Sequence, residues 1–351
     1  MSAGPASAGV ATRQESSPQI ASSAAVLGTA TFGTNSALAE GAIVRSTKNG
    51  VAIGTASYVI ENSVVVGNPR IPVVIGRRTV FGHRCLVIGA TVGDFCEIGN
   101  GSVLMPGATV GDRVFLGEGT VVPAGMAIPD DVVAVGRPAR IIRAFSAGDL
   151  DRLRSLRGGD LSVPAPSGII IQHRGGVIAM GQLHAYRSVL PIVAATAVVF
   201  PTAEITGDVV VGERSIIGAG VKIIGDSNGP VRIGNDVQIL ENTVLHLLPN
   251  NDLVIEDGAT VGPGAMIHGC HIGPSCVIEP GAIVCDGSVV GPESVVRAGS
   301  VVKQRSQFGA RTEIDGQPAA EVGRLSGPPA LPAWALDPED LPDALTPDPG
   351  R

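Results

Sequence analysis

Residues 92–122 read VGDFCEIGNGSVLMPGATVGDRVFLGEGTVV, and their spacing decides the fold. Val92, Ile98, Leu104, Val110, Leu116 and Val122 follow one another at steps of six, and all but Leu104 are followed directly by Gly or Pro. A period of six fits neither the 3.6-residue helix nor simple strand alternation. It is the hexapeptide signature of a parallel β-helix, in which three short flat faces make one triangular coil and one aliphatic side chain per face points inward. Successive coils then stack at about 4.7–4.9 Å, hydrogen-bonded to the coils above and below. Gly or Pro after the inward residue suits the sharp corners.

The rhythm returns at Ile272, Ile278, Val284, Val290, Val296 and Val302. The two runs register without a gap at an offset of 180 residues. Upstream of them, 61–91 (ENSVVVGNPRIPVVIGRRTVFGHRCLVIGAT) aligns at the same offset with 241–271 (ENTVLHLLPNNDLVIEDGATVGPGAMIHGCH). The expected fold is therefore all-β: two parallel β-helices in tandem, with short helical or irregular appendages.

The copies divide their histidines. His246 stands opposite Val66, His268 opposite Ile88, and His83 opposite Pro263. Each copy has an incomplete set; together they hold one set of three.

Composition agrees with a solenoid. The chain has 351 residues with 48 Gly and 26 Pro but only 3% aromatic residues, which points to many tight turns. A net charge of −7 without a long basic run argues against nucleic acid as a partner. Cys85, Cys96, Cys270, Cys276 and Cys285 form no CxxC pair and read as small buried residues of a reduced compartment. The N-terminus lacks the basic-then-apolar pattern of a secretory signal. The longest apolar stretch, 189–200, is interrupted by Pro191 and is too short for the roughly 18 residues of a membrane span. A cytoplasmic protein with no membrane or nucleic-acid partner is expected.

In chain order, residues 1–23 read as a disordered arm, 24–157 as the first β-helix with a C-terminal helix, and 158–200 as linker and connecting strands. The second β-helix is expected over 201–325 and a Pro-rich irregular tail over 326–351. Within 146–156, Ser146 is a candidate N-cap with Asp149 three residues on, and Leu150, Leu153 and Leu156 share a stripe. GRPARIIRAF (136–145) closes the first β-helix and is faintly echoed by GQPAAEVGRL (316–325).

The hexapeptide solenoid, the Glu-Asn-Ser/Thr-Val segments, Phe-Gly-His83-Arg-Cys, Ile-His268-Gly-Cys and the Gly-Arg-Pro-Ala-Arg closure resemble the γ-class carbonic anhydrase family. The resemblance covers most of both copies, and the steps of 17 and 5 from position 246 to 263 to 268 are its specific part. It implies that both β-helices are left-handed and that such β-helices pack around a threefold axis, in a homo-oligomer of trimeric or pseudo-trimeric packing. It also implies a metal between neighbours that takes two histidines from one β-helix and one from the next. Carried over, His246 and His268 are the pair and His83 the neighbour's ligand, binding Zn2+ or, as alternatives, Fe2+ or Co2+. Three imidazoles leave a fourth position open for water, whose pKa such a metal lowers to about 7 for attack on CO2 or a related small electrophile.

By the same resemblance Arg45 and Asp226 are halves of an element that pairs across the interface. Glu61 or Glu241 takes the place of the family's acidic residue, either orienting a ligand or acting as general base. The family's substrate-binding Gln is replaced by Ile60 and Leu240, and no acidic loop follows His246, where Asn250, Asn251 and Asp252 stand. His271, His173 and His184 are assigned surface or packing roles. The hexapeptide rhythm by itself also suits an acyl- or acetyltransferase with a general-base His and a coenzyme A thioester. It suits a non-catalytic scaffold as well.

Overall fold

The structure is a computed structural model that describes residues 17–156, 168–172 (backbone), 181–226 and 229–340. The expected linker over 158–167 and the chain beyond 340 lie outside the described residues. Two parallel β-helices of the left-handed hexapeptide type stand in tandem, and the described residues hold one α-helix, Ala147–Leu156.

Each β-helix has three sheets, visited in a fixed order along the chain. In the first, sheet A1 contains Ala37–Leu38, Tyr58–Val59, Val80–Phe81, Glu97–Ile98 and Phe115–Leu116. Sheet B1 contains Val64–Gly67, Leu86–Ile88, Val103–Leu104 and Val121–Val122. Sheet C1 contains Val73–Ile75, Thr91–Val92, Thr109–Val110 and Ala127–Ile128. The long strand Ile43–Ile53 runs around the corner and joins B1 to C1. In the second β-helix, A2 includes Ile216–Ile217, Gln238–Ile239, Thr260–Val261, Val277–Ile278 and Val295–Val296. B2 includes Lys222–Gly225, Val244–His246, Met266–His268, Ile283–Val284 and Val301–Val302. C2 includes Val231–Ile233, Leu253–Ile255 and His271–Ile272.

Register explains the hexapeptide period. Thr91 pairs with Thr109 and Val103 with Val121, so a coil takes 18 residues, six per face. The twelve six-step aliphatics all point inward, and none is more than 3% exposed. Their burial, at roughly 25 cal/mol per Å² of apolar surface, drives the stacking. Asn62 and Asn242 take the left-handed corner conformation at φ 58° and 55°, which Asn tolerates better than most residues. The buried Cys85, Cys96 and Cys276 thiols are pushed up to about 12, 12 and 11 by desolvation, as inert core residues are.

Three expectations are revised. Gln182–His184, Ile192–Val193 and Val198–Val199 form the opening coil of the second β-helix instead of a connection to it, because they pair in parallel with the coil that follows. Gln19–Ile20 already pairs with Ala37–Leu38, inside the span expected to be an unstructured arm. Of the helical leucine stripe, Leu153 is fully buried and Leu156 is exposed. The echo at the two closures is structural. Arg140–Ala144 folds back antiparallel on Val132–Val135, and Ala319–Arg324 does so on Thr312–Gly316, ending each stack. No helix among the described residues is long and apolar enough to cross a membrane.

The β-helices lie side by side, in parallel and at matching levels, with B1 against A2. Outward residues of B1 (Val64, Leu86, Val103, Val121) and of A2 (Ile216, Val277, Val295) share one buried cluster. The corner between A1 and B1 lies beside the corner between A2 and B2. Asn242 donates through Nδ2 to the carbonyls of Gly41 and Asn62, at 3.1 and 3.3 Å. Gly264, at φ 67°, is pressed so close that a Cβ there would lie 2.9 Å from Leu86 Cδ2. The tail from Ala333 to Leu336, expected to be merely irregular, is buried in this seam. Asn68 donates to the Ala333 carbonyl at 3.1 Å, and Gln238 exchanges hydrogen bonds with Leu336 at 2.8 and 2.9 Å.

Candidate metal centre

His246 and His268 sit opposite each other on neighbouring strands of B2 and project outward. His246 Nδ1 is 3.1 Å from His268 Nε2. Two nitrogens held tetrahedrally at about 2.0–2.1 Å from one metal stand roughly 3.3 Å apart, so the spacing fits a shared ion. Asp286 Oδ2 lies 2.7 Å from His268 Nδ1. A proton on Nδ1 donated to that carboxylate leaves the Nε2 lone pair facing His246, the orientation a ligand needs. Burial works to raise the Asp286 carboxyl. The His268 ring, the Leu248 N–H and the Asn251 amide together outweigh it, and the pKa ends below the usual range. Asp226 Oδ2 flanks the other side, 3.7 Å from His246 Nε2.

Asp286 and Asn251 were not singled out from the sequence, but a signal existed. The next coil sets Ile283 opposite Met266, a step of 17 residues, so residue 286 lies within one place of the step after 268 and its carboxylate reaches the imidazole. In the first copy the same position is Pro106, and Asn251 corresponds to Ile71. The supporting groups are therefore divided between copies in the same way as the ligands.

His83 is elsewhere. It occupies the A1–B1 corner, where its Nδ1 meets Glu61 Oε2 at 2.8 Å and both side chains are about half exposed. Among the described residues no group of three or more His, Cys, Asp or Glu side chains is arranged to hold a metal. The structure thus brings His246 and His268 together and leaves His83 apart from them.

The interface pair expected from Arg45 and Asp226 is not formed within the chain. Arg45 projects from B1 into the seam, where its Nε donates to Glu241 Oε1 at 2.6 Å and its Nη2 donates to the Trp334 carbonyl at 2.7 Å. Asp226 follows a strand of B2, which faces away from that seam. Arg45 and Glu241 are 3% and 0% exposed, so the Glu241 carboxylate is held by a guanidinium and is no free base. The corner position of the internal seam carries Pro263, and the sheet positions carry Val66 and Ile88, so the seam has no imidazole where the resemblance would put ligands. His271 pairs with Glu256 on the exposed surface of C2, His184 is exposed on the opening strand of B2, and His173 lies outside the described residues.

Comparison with known proteins agrees with the repeat. The bacterial transferase hexapeptide (six repeats) family matches residues 89–124 and 269–304, one stretch in each copy. A carbonic anhydrase from Geobacillus kaustophilus is 44% identical over 86 residues, which is 24% of this chain and 47% of that protein. The uncharacterized transferase YtoA of Bacillus subtilis is also 44% identical over 86 residues, 24% of this chain and 50% of that protein. The match thus spans about half the length of each of these relatives. A solved hexapeptide transferase family protein from Anaplasma phagocytophilum is 30% identical, with 41% of this chain and 85% of that one covered at a TM-score of 0.40.

Proposed function

The chain belongs to the bacterial hexapeptide-repeat family, in two tandem copies, and from that premise we propose that it is a metal-dependent enzyme resembling γ-class carbonic anhydrases. Its substrate in this reading is CO2 or a similarly small electrophile. The carrying observation is the His246–His268 pair, with ring nitrogens 3.1 Å apart and one ring oriented by Asp286. His246 and His268 would hold the ion, and His83 would be the third ligand. A divalent metal in this position, zinc first and iron or cobalt as alternatives, supplies Lewis acidity for a hydration reaction.

The protein's own groups do the positioning. Asp286 accepts the His268 Nδ1 proton, and the Leu248 N–H and Asn251 Nδ2 hold that carboxylate at 3.3 and 3.2 Å. The corner that carries His83 has Ile60 at the place of the family's Gln, so that place offers no polar grip on substrate. This favours a small, weakly polar substrate bound loosely. The experiment is metal analysis with CO2 hydration assays on wild type and His268→Ala. Bound metal and activity lost together in the variant support the reading, and metal-free protein after zinc loading removes it.

A second reading has its own observation. His83 with Glu61 at 2.8 Å is an imidazole held by a carboxylate, a general-base arrangement suited to acyl transfer from a coenzyme A thioester. Consumption of acetyl-coenzyme A that depends on His83 in metal-free protein would favour it.

A further inference from the structure

The last described part of the chain is held in the seam by side chains and not by strands. Beyond Leu325, whose N–H donates to the Arg311 carbonyl at the closing hairpin, the chain leaves the coils and returns to the seam. Among the described residues, 333–336 join no sheet. Three buried polar side chains take their backbone instead. Asn68 donates to the Ala333 carbonyl at 3.1 Å and Arg45 Nη2 to the Trp334 carbonyl at 2.7 Å. Gln238 donates to the Leu336 carbonyl at 2.9 Å and accepts the Leu336 N–H at 2.8 Å. Between these bonds the Trp334 and Leu336 side chains are sunk to 3% and 1% exposure in the apolar cluster of B1 and A2. The acids that follow meet bases at the rim: Asp337 Oδ2 lies 4.0 Å from Arg70 Nη2, and Asp340 Oδ1 3.0 Å from Lys48 Nζ.

Main-chain hydrogen bonds combined with pockets for alternate side chains are how a groove reads a linear peptide. The pattern read here is Trp-x-Leu followed by acids. The grip is confined to the seam. At the 180-residue offset Asn68 is matched by Leu248 and Gln238 by Tyr58, and the register of B2 puts Ile224 where B1 has Arg45. The open faces of the two β-helices therefore lack each polar group that holds the tail. The connection to the tail, SGPPALP (326–332), joins no helix or strand. Within it Leu331 is 62% exposed, and a Cβ at Gly327 would meet nothing within 4 Å. Proline limits the conformations this connection loses when the tail seats, and the tether keeps the tail concentrated near its groove.

We propose that the seam is a groove that reads linear peptides, with the chain's own tail as its resident ligand: a latch that opens without unfolding the β-helices and that a free peptide of the pattern Trp-x-Leu-Asp replaces. Arg45 and Asn68 belong to the first β-helix and Gln238 to the second, so the latch ties one to the other. Opening withdraws Trp334 and Leu336 from the seam and frees Arg45 from its carbonyl partner. None of this rests on the metal reading.

Trp334 is the sole tryptophan, so its emission reports the latch alone. In the full-length protein, urea is expected to shift that emission to the red at a lower concentration than it removes the far-ultraviolet β signal. Coincident transitions overturn a latch that opens by itself. Replacement is tested on full-length Trp334→Ala/Leu336→Ala, judged folded by its melting curve, with a synthetic peptide of residues 326–340. This variant has no tryptophan, so the expected result is a blue shift of the peptide's emission that saturates at one peptide per chain, with a raised melting temperature. By calorimetry the peptide carrying Trp334→Ala should bind about 30-fold more weakly or worse, as loss of a buried aromatic anchor dictates. The peptide carrying Asp337→Asn/Asp340→Asn should be weaker at low salt only, because its lost ion pairs are exposed. A folded variant that ignores the peptide, or that takes a scrambled one equally well, overturns the groove. Should the double variant not fold, Leu336→Ala with a dye-labelled peptide, read by anisotropy, takes its place under the same two outcomes.

Discussion

Sheets B1 and B2 are the same element written twice, and they have opposite fates. Both point valine, leucine, isoleucine or methionine outward along successive coils. On B1 those side chains are sealed against A2 in the cluster that also holds Trp334 and Leu336. On B2 they stay at the surface beside His246 and His268. The sealed sheet carries Val66 and Ile88 where B2 has imidazoles, and Pro106 where B2 has Asp286. A duplicated β-helix thus seals one of its equivalent surfaces and leaves the other open.

The largest effect is expected where the seam holds charge. Glu241→Gln leaves Arg45 buried without its countercharge and should destabilise the chain by about 3–5 kcal/mol in urea unfolding. Arg45→Met/Glu241→Met together should recover most of that loss, since neither charge is then stranded. A double variant as unstable as the single one would mean that the pair is needed as an ion pair, not merely as a matched partner.

Next comes the wedge of the tail. Trp334→Ala should cost about 3 kcal/mol through the cavity it leaves, and Met266→Ala on the open sheet under about 1 kcal/mol in an isolated chain. Equal losses from both, measured by the same unfolding experiment, would show that B2 is as covered as B1. Asp286→Asn probes the chemical face. It should weaken metal binding by about 10–100-fold, read by competition with a chelator, while leaving the unfolding midpoint nearly unchanged.

The smallest effect lies outside both sheets. The Asp149 carboxyl is held well below the usual range, first by the Arg143 guanidinium and then by the Ser146 hydroxyl and N–H. A depressed carboxylate stabilises the fold above its unfolded pKa near 3.9 and loses that contribution as pH falls further. The melting difference between wild type and Asp149→Asn should therefore be constant at neutral pH and shrink below about pH 4. A difference independent of pH would assign the helix start to shape alone.

Much of this was legible in the residues. The step of six was readable because each inward position must be aliphatic in every coil, whatever surrounds the β-helix. Ser146 with Asp149 was readable because capping is local: the Asp149 N–H donates to Ser146 Oγ at 3.2 Å and the carboxylate receives the Ser146 groups in return. The division of His83 from His246 and His268 was readable because the copies align at a constant offset. Arg45 was matched with Asp226 by resemblance, and Glu241 was offered as a ligand-orienting group or a base. Within the chain Arg45 and Glu241 meet each other instead, because a charged residue's partner is set by which faces meet.

The sequence by itself determined the coil, the two copies and the identity of the ligand-type side chains, since periodicity and alignment are properties of order along the chain. Only the tertiary structure decided that B1 and not B2 is sealed, that Glu241 belongs to Arg45, and that an aperiodic tail carrying Trp334 fills the seam. The physical reason is that outward apolar residues of B1 and B2 have the same chemistry. Nothing local distinguishes a surface that is to be buried from one that is to stay open until the two β-helices are placed side by side.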